Sequence, residues 1–555
     1  MDHFFSYFEG DSPVLQFIGK WSYLIYTRQE LIQMYIHLIL AAVFPIYIGS
    51  HASLRRPPSA AVPKKKAPGE DGDDEEEVQI EGMTPSDAVL FPILAGVTLG
   101  GLYLVIKWLD DPKLLNKILN VYFSGLGIFG VGKLAADCLN VATTFIFPNV
   151  WSSATETYFI EPLLSQQVTG CVNKARVQIH RKFVEDKTNP FPGFLSSIQF
   201  SPAINKKLWS LRAMLKNHWV FKAFVHGIFS AKGNIKLNDV LGFVIGVATI
   251  ALYNMNGKAW WLTNIMGFGF CYGTLQLMSP TTFWTGTLVL AGLFIYDIVM
   301  VFYTPLMITV ATSLEVPIKL VFPGPKRGSM LGLGDIVLPG IMMALALRFD
   351  LYLHYLRKQR TTSKPTIPPR AIEPDTIIRA PYVEATGQWG ERFWTRLAKK
   401  GDADTVADGA RFSKVYFKAS LVGYVLAMLV TLVVMNIFNH AQPALLYLVP
   451  GVLTALWGTA LVRGEVGLMW EYSEDGEWGL EPLKKKDGEE AEKGKGEGSA
   501  EIKEKAGSDD VAIAGSDHPR DVAEIEKISE EHKHHVFLFS LEAPRDGLPA
   551  KTPKI

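Results

Sequence analysis

Nine long runs of Leu, Ile, Val, Phe and Gly, nearly free of charge, constrain this chain more than anything else in it. They fall at roughly 31–50, 88–108, 114–132 (continuing toward 147), 239–254, 260–278, 283–309, 331–348, 415–438 and 441–462. A helix of about 20 apolar residues crosses the hydrocarbon core of a bilayer. In lipid every backbone N–H and C=O must be bonded internally, and runs of this length do that only as helices. The predicted fold is therefore an all-α membrane protein of nine transmembrane helices with disordered cytosolic loops and tail. With 48% hydrophobic and 20% charged residues, the chain is neither a disordered nor a collagen-like one. A net charge of +0 speaks against nucleic acid as a partner. Cys138, Cys171 and Cys271 are too scattered for a disulfide framework or a zinc site, so no metal and no cofactor are expected.

Lys and Arg in the connections set the orientation. Arg55, Arg56, Lys64, Lys65 and Lys66 follow the first span; the 149–236 connection and the stretch after the seventh span are also basic. All three fall on one side of a nine-span chain, which places the N-terminus in the lumen and the C-terminus in the cytosol. The start, MDHFFSYFEGD, is acidic, so no cleavable signal peptide is expected and the first span reads as a signal anchor. The organisation that follows is a lumenal segment 1–30, spans one to three in 31–148 with a charged loop at 51–84, and a cytosolic connection 149–236. Spans four to seven occupy 237–348, a cytosolic basic insertion 349–412, the last two spans 413–462, and a low-complexity cytosolic tail 463–555.

Carboxylates inside such spans are costly and each requires a reason. Asp137 has Lys133 one helical turn before it, and an ordinary ion pair explains it. Asp297 lies well inside the sixth span and Asp335 near the start of the seventh, and neither span offers a basic partner. Pro317, Pro323, Gly324 and Pro325 break the chain between them, so the two aspartates sit on consecutive antiparallel helices that a re-entrant loop can bring face to face. Facing carboxylates in low dielectric share a proton, the division of labour used in aspartic proteolysis. Gly332 and Gly334 remove side-chain bulk beside Asp335. The competing reading is structural: each aspartate capped by backbone or hydroxyl groups.

Tyr296-Asp297, Gly332-Leu333-Gly334-Asp335 and Gln442-Pro443-Ala444-Leu445, in that order on successive spans, resemble the GxGD intramembrane aspartyl proteases, which include presenilins and signal peptide peptidases. The flanks PIKLVFP, LGLGDIVLPG, HAQPALLYLVP and LFPILAGVTLGGLYLVIKW are closer to signal peptide peptidase, and the likeness covers roughly 85–148 and 237–470. The insertion at 357–412 is longer and more charged than that family's core. The resemblance implies that Asp297 and Asp335 are the catalytic pair, with Tyr296, Gly332, Leu333, Gly334, Gln442, Pro443, Ala444 and Leu445 shaping the site. Tyr296 fills space beside Asp297 or bonds through its hydroxyl, and Pro443 is a helix start as well as a wall. His440 reads as an interfacial residue.

The same resemblance implies residence in the endoplasmic reticulum membrane and hydrolysis of signal peptides and other transmembrane segments; association with a second copy is left open. A substrate helix must unwind before water can add to its carbonyl, and the extended run 318–322 is expected to offer a strand edge to the freed backbone groups, an interfacial loop being the alternative. A rival class is a transporter or channel with proton-relaying carboxylates, which predicts internal repeats that the Asp-bearing segments do not show; a non-proteolytic scaffold is a third.

Overall fold

The computed structural model describes residues 29–61, 81–108, 113–153, 156–162, 164–169, 182–183, 187–225, 229–314, 316–323, 329–362, 376–396, 411–438, 442–474 and 537–542. The segment before 29, the charged run at 62–80, Cys171, Gly324, Pro325, His440 and most of the tail lie outside the described residues.

The apolar runs are helical, as the lipid argument requires. In chain order they are α1 (Gln29–Ala52), α2 (Pro85–Trp108), α3 (Lys113–Ile146), the polar helix α4 (Pro202–Lys216), α5 (Leu237–Met255), α6 (Trp260–Leu277), α7 (Phe283–Ile298), a short α8 (Leu306–Ser313), α9 (Gly334–Leu356), α10 (Trp389–Trp394), α11 (Val415–Phe438), α12 (Leu445–Arg463) and α13 (Val466–Glu471). Eight helices among the described residues are long and apolar enough to cross a membrane. The expected span at 260–278 is α6, an 18-residue helix that is not one of them. Its Asn264, Gln276 and paired Trp260 and Trp261 lower its hydropathy, so length and composition yield eight spans rather than nine. The third run continues unbroken to Ile146.

Lipid tails provide no hydrophobic drive between helices, so close backbone approach does that work. A Cβ on Gly242 of α5 would stand 2.5 Å from the Gly132 carbonyl oxygen of α3, and one on Gly423 of α11 would stand 2.6 Å from that of Gly451 in α12. Helix α9 is the hub: it packs against α1, α6, α7, α11 and α12, and its side chains from Pro339 through Leu351 are buried without interruption.

Short strands decorate the helix ends. β1 (Glu81–Met83) runs parallel to β8 (Met278–Pro280). β2 (Val150–Ser152), β3 (Thr157–Glu161), β4 (Gln166–Thr169) and β5 (Lys182–Phe183) form an antiparallel sheet within the 149–236 connection. There Trp151 stacks on Tyr158 at 4.4 Å and packs with Trp209 of α4. β6 (Trp219–Val225) and β7 (Phe229–Ile235) pair with each other, and with β13 (Phe537–Glu542) make a three-stranded sheet that is a separate compact unit. β9 (Lys319–Phe322) and β10 (Ser329–Gly332) form a hairpin directly before α9, and β11 (Arg360–Thr362) pairs with β12 (Thr376–Ile378).

Two expectations of solvated linkers need correction. Within the insertion, Thr386 Oγ1 donates to Leu54 O at 2.8 Å, Tyr355 Oη accepts from Val383 N at 3.1 Å, and Gly390 sits so tightly on α3 that a Cβ would meet the Thr144 carbonyl at 2.2 Å. Its aromatic residues, Tyr382, Trp389 and Trp394, supply the apolar area that holds this part of a charged segment in place. The start of the tail is ordered too: Met469 and Tyr472 are buried, and the Glu474 carboxylate, 3% exposed, binds Arg348 and Arg55.

Candidate active site

Asp297 is reached one residue before the end of α7. A π-helical turn, Val299–Tyr303, and Pro305 interrupt the helix immediately afterwards, and the chain resumes as α8. The Asp297 side chain is buried, with 4% exposure of the residue. Its Oδ2 accepts a hydrogen bond from the backbone N–H of Leu445 at 3.0 Å. Leu445 opens α12, where the first N–H groups have no partner inside the helix, so a carboxylate from another helix takes that place. Pro443 is buried just before it and Ala444 packs on the central apolar cluster, while Gln442 is half-buried. The structural reading of Asp297 as a cap is therefore correct as far as one oxygen goes.

Asp335 lies in the first turn of α9, half-buried, and near enough to Asp297 to feel its charge. Pro339 follows four residues later and has no N–H, so the Asp335 carbonyl lacks its usual helical donor. The hydroxyl of Tyr424, fully buried on α11, supplies one at 3.3 Å. A Cβ on Gly332 would stand 3.4 Å from Asp335 Oδ2, so glycine there leaves the approach to the carboxylate open. Gly334 is exposed beside it and Leu333 packs on the apolar core. The Tyr296 ring packs with the cluster around Leu290 and Leu293 and faces Gly96 of α2, the space-filling role.

The run at 318–322 is extended as expected, but its free edge is already taken. Val321 donates its N–H to Asn264 Oδ1 at 2.8 Å and accepts from Asn264 Nδ2 at 2.9 Å, both from α6. The Leu333 N–H to Ile318 O bond and the pairing of Leu331 with Leu320 fix which residues point inward. Alternation then turns the N–H and C=O of Met330 and Gly332 away from β9. The open edge is thus β10, which runs straight into Asp335.

The other intramembrane acids are fully engaged. Asp137 accepts from Lys133 at 3.1 Å and from the Tyr272 hydroxyl at 2.6 Å. Asp350, missed in the sequence because the seventh run seemed to end at 348, accepts from the N–H groups of Tyr416 (3.2 Å) and Phe417 (3.0 Å) and so caps α11.

A helical membrane bundle in which two neighbouring helices each carry a carboxylate, one of them capping the start of a third helix, has the architecture expected of an intramembrane aspartic protease. The sequence profile of the signal peptide peptidase family matches residues 74–476, and the chain belongs to that family and is an intramembrane aspartic protease. The matched region includes the 149–236 connection, which the motifs alone did not reach. Signal peptide peptidase of Mus musculus and that of Homo sapiens are each 29% identical over 456 residues, covering 81% of this chain and 85% of theirs. A probable intramembrane protease of Schizosaccharomyces pombe is 34% identical over 231 residues, 41% of this chain and 62% of its own.

Proposed function

We propose that Asp297 and Asp335 are the catalytic pair of this protease, and that it hydrolyses signal peptides and other transmembrane segments in the endoplasmic reticulum membrane, with its N-terminus lumenal and nine spans. The observation that carries this is the Leu445 N–H bond to Asp297 beside Asp335, because it draws all three sequence motifs to one point. The ionised aspartate takes a proton from water while the protonated one donates to the scissile carbonyl. Water adds to give a tetrahedral diol, and the C–N bond breaks as the amine gains a proton. Leu445 holds one oxygen of Asp297 in place, and half-buried Asp335 is the member that water and substrate reach. The unwound substrate lies as an added strand along Met330 and Gly332, its freed N–H and C=O groups bonded to that edge.

The test is cleavage of a synthetic signal peptide by detergent-purified protein. Asp297→Ala and Asp335→Ala are each expected to lower the rate by about 10²–10⁴-fold, the span of acid–base catalysis. Cleavage that persists in either variant refutes the pair. Met330→Pro removes an outward N–H without touching the hairpin and is expected to raise KM, whereas Leu320→Pro breaks the hairpin itself.

A further inference from the structure

Helix α9 ends, far from Asp335, at a cavity of about 150 Å³ between its last turn, the residues entering α11 and the end of α12. Arg357, Lys358 and Arg463 line it with Ser413, Tyr416 and Asp350. We propose that this cavity binds a phosphate ester, with the two guanidinium groups and the Lys358 ammonium as its ligands.

Three cations, Arg357, Lys358 and Arg463, stand against two carboxylates, Asp350 and Glu465, which leaves one positive charge in excess; both Asp350 oxygens already accept from the first N–H groups of α11. The helix N-terminus is therefore already used, and the attraction for an anion comes from the side chains. Glu465 gathers those side chains, accepting from Arg357 at 2.8 Å, from Arg463 at 2.9 Å and from the Tyr416 hydroxyl at 2.8 Å. Each guanidinium has five N–H donors in a planar fork suited to phosphate, so the shared carboxylate orients both and leaves donors over. The cavity is well below the roughly 300–1,000 Å³ of pockets that enclose whole organic ligands, so it admits a phosphate and little more. Its position fits a lipid source. α9, α11 and α12 are all long and apolar enough to cross a membrane, and their charged ends here stand where headgroups lie. Acyl chains would then run along the exposed apolar faces of the same helices.

The experiment is thermal unfolding of the full chain in detergent with phosphatidic acid, with phosphatidylcholine, or with inorganic phosphate. A rise of roughly 2–4 °C with phosphatidic acid alone is expected and identifies a headgroup site. A rise with inorganic phosphate as well supports the same site with a free ion as occupant. The double variant R357Q/K358Q, altered at one exposed and one half-buried position, abolishes the rise. S413W, which fills the cavity and keeps every charge, abolishes it too. No rise with either phosphate source, an equal rise with phosphatidylcholine, or a rise that survives in either variant overturns the proposal.

Discussion

The two ends of α9 hold carboxylates in opposite conditions, Asp350 buried and Asp335 half-buried. Asp350, about 22 Å along the axis from Asp335, gives each oxygen to a backbone N–H of α11 and has nothing left to offer a reactant. Beside it in sequence, Arg348 reaches Glu474, Ser53 and Ser279, a cluster in which both charges are 3% exposed. Asp335 instead keeps its carboxylate for Asp297 and the open space before Gly332, and only its backbone carbonyl is tied, to Tyr424. Asp350, with a backbone donor on each oxygen, is a cap; Asp335, beside another acid, is the one the proposed chemistry uses.

Removing Glu474 should break the satisfied end most severely. E474A strands the Arg348 guanidinium without its counter-charge and is expected to cost about 3–5 kcal/mol, read as a fall in thermal midpoint and in the yield of folded protein. D350A leaves two N–H groups of α11 unpaired, at a cost of about 1–3 kcal/mol, while the cleavage rate per folded molecule stays at the parental level. If D350A abolished cleavage without lowering stability, the contrast between the ends would fail. At the reactive end, Y424F removes one hydroxyl and is expected to slow cleavage by about 2–10-fold, matching the roughly 0.5–1.5 kcal/mol of one hydrogen bond. The smallest effect concerns Lys414, at the threshold of α11, whose pKa burial and the nearby Arg392 and Lys418 push down to about 7. The unfolded chain then binds more protons than the folded one between that value and the ordinary lysine range. Stability therefore rises as pH is taken from 7 toward 10, and K414M should flatten that rise in thermal scans.

Most of the long helices and the two aspartates placed on α7 and α9 were legible because oil-soluble runs and charges within them are written in single residues. Asp350 was not, since Arg348 and Asp350 look like the start of a loop; the return of Leu351, Leu353 and Tyr355 was the available signal. Tyr424 and Asn264 were beyond reach for another reason. Each satisfies backbone groups on an element far away in sequence, and nothing local distinguishes such a tyrosine or asparagine from any other in a helix. The apolar run 318–322 reads as extended but could not say which edge Asn264 would occupy.

The donor to Asp297 comes from Leu445, at the entry to the last long helix among the described residues, 148 positions further along the chain. A chain made from its N-terminus therefore holds both acids before the N–H that bonds one of them exists. A copy truncated before that helix keeps both aspartates and lacks the N–H that seats Asp297.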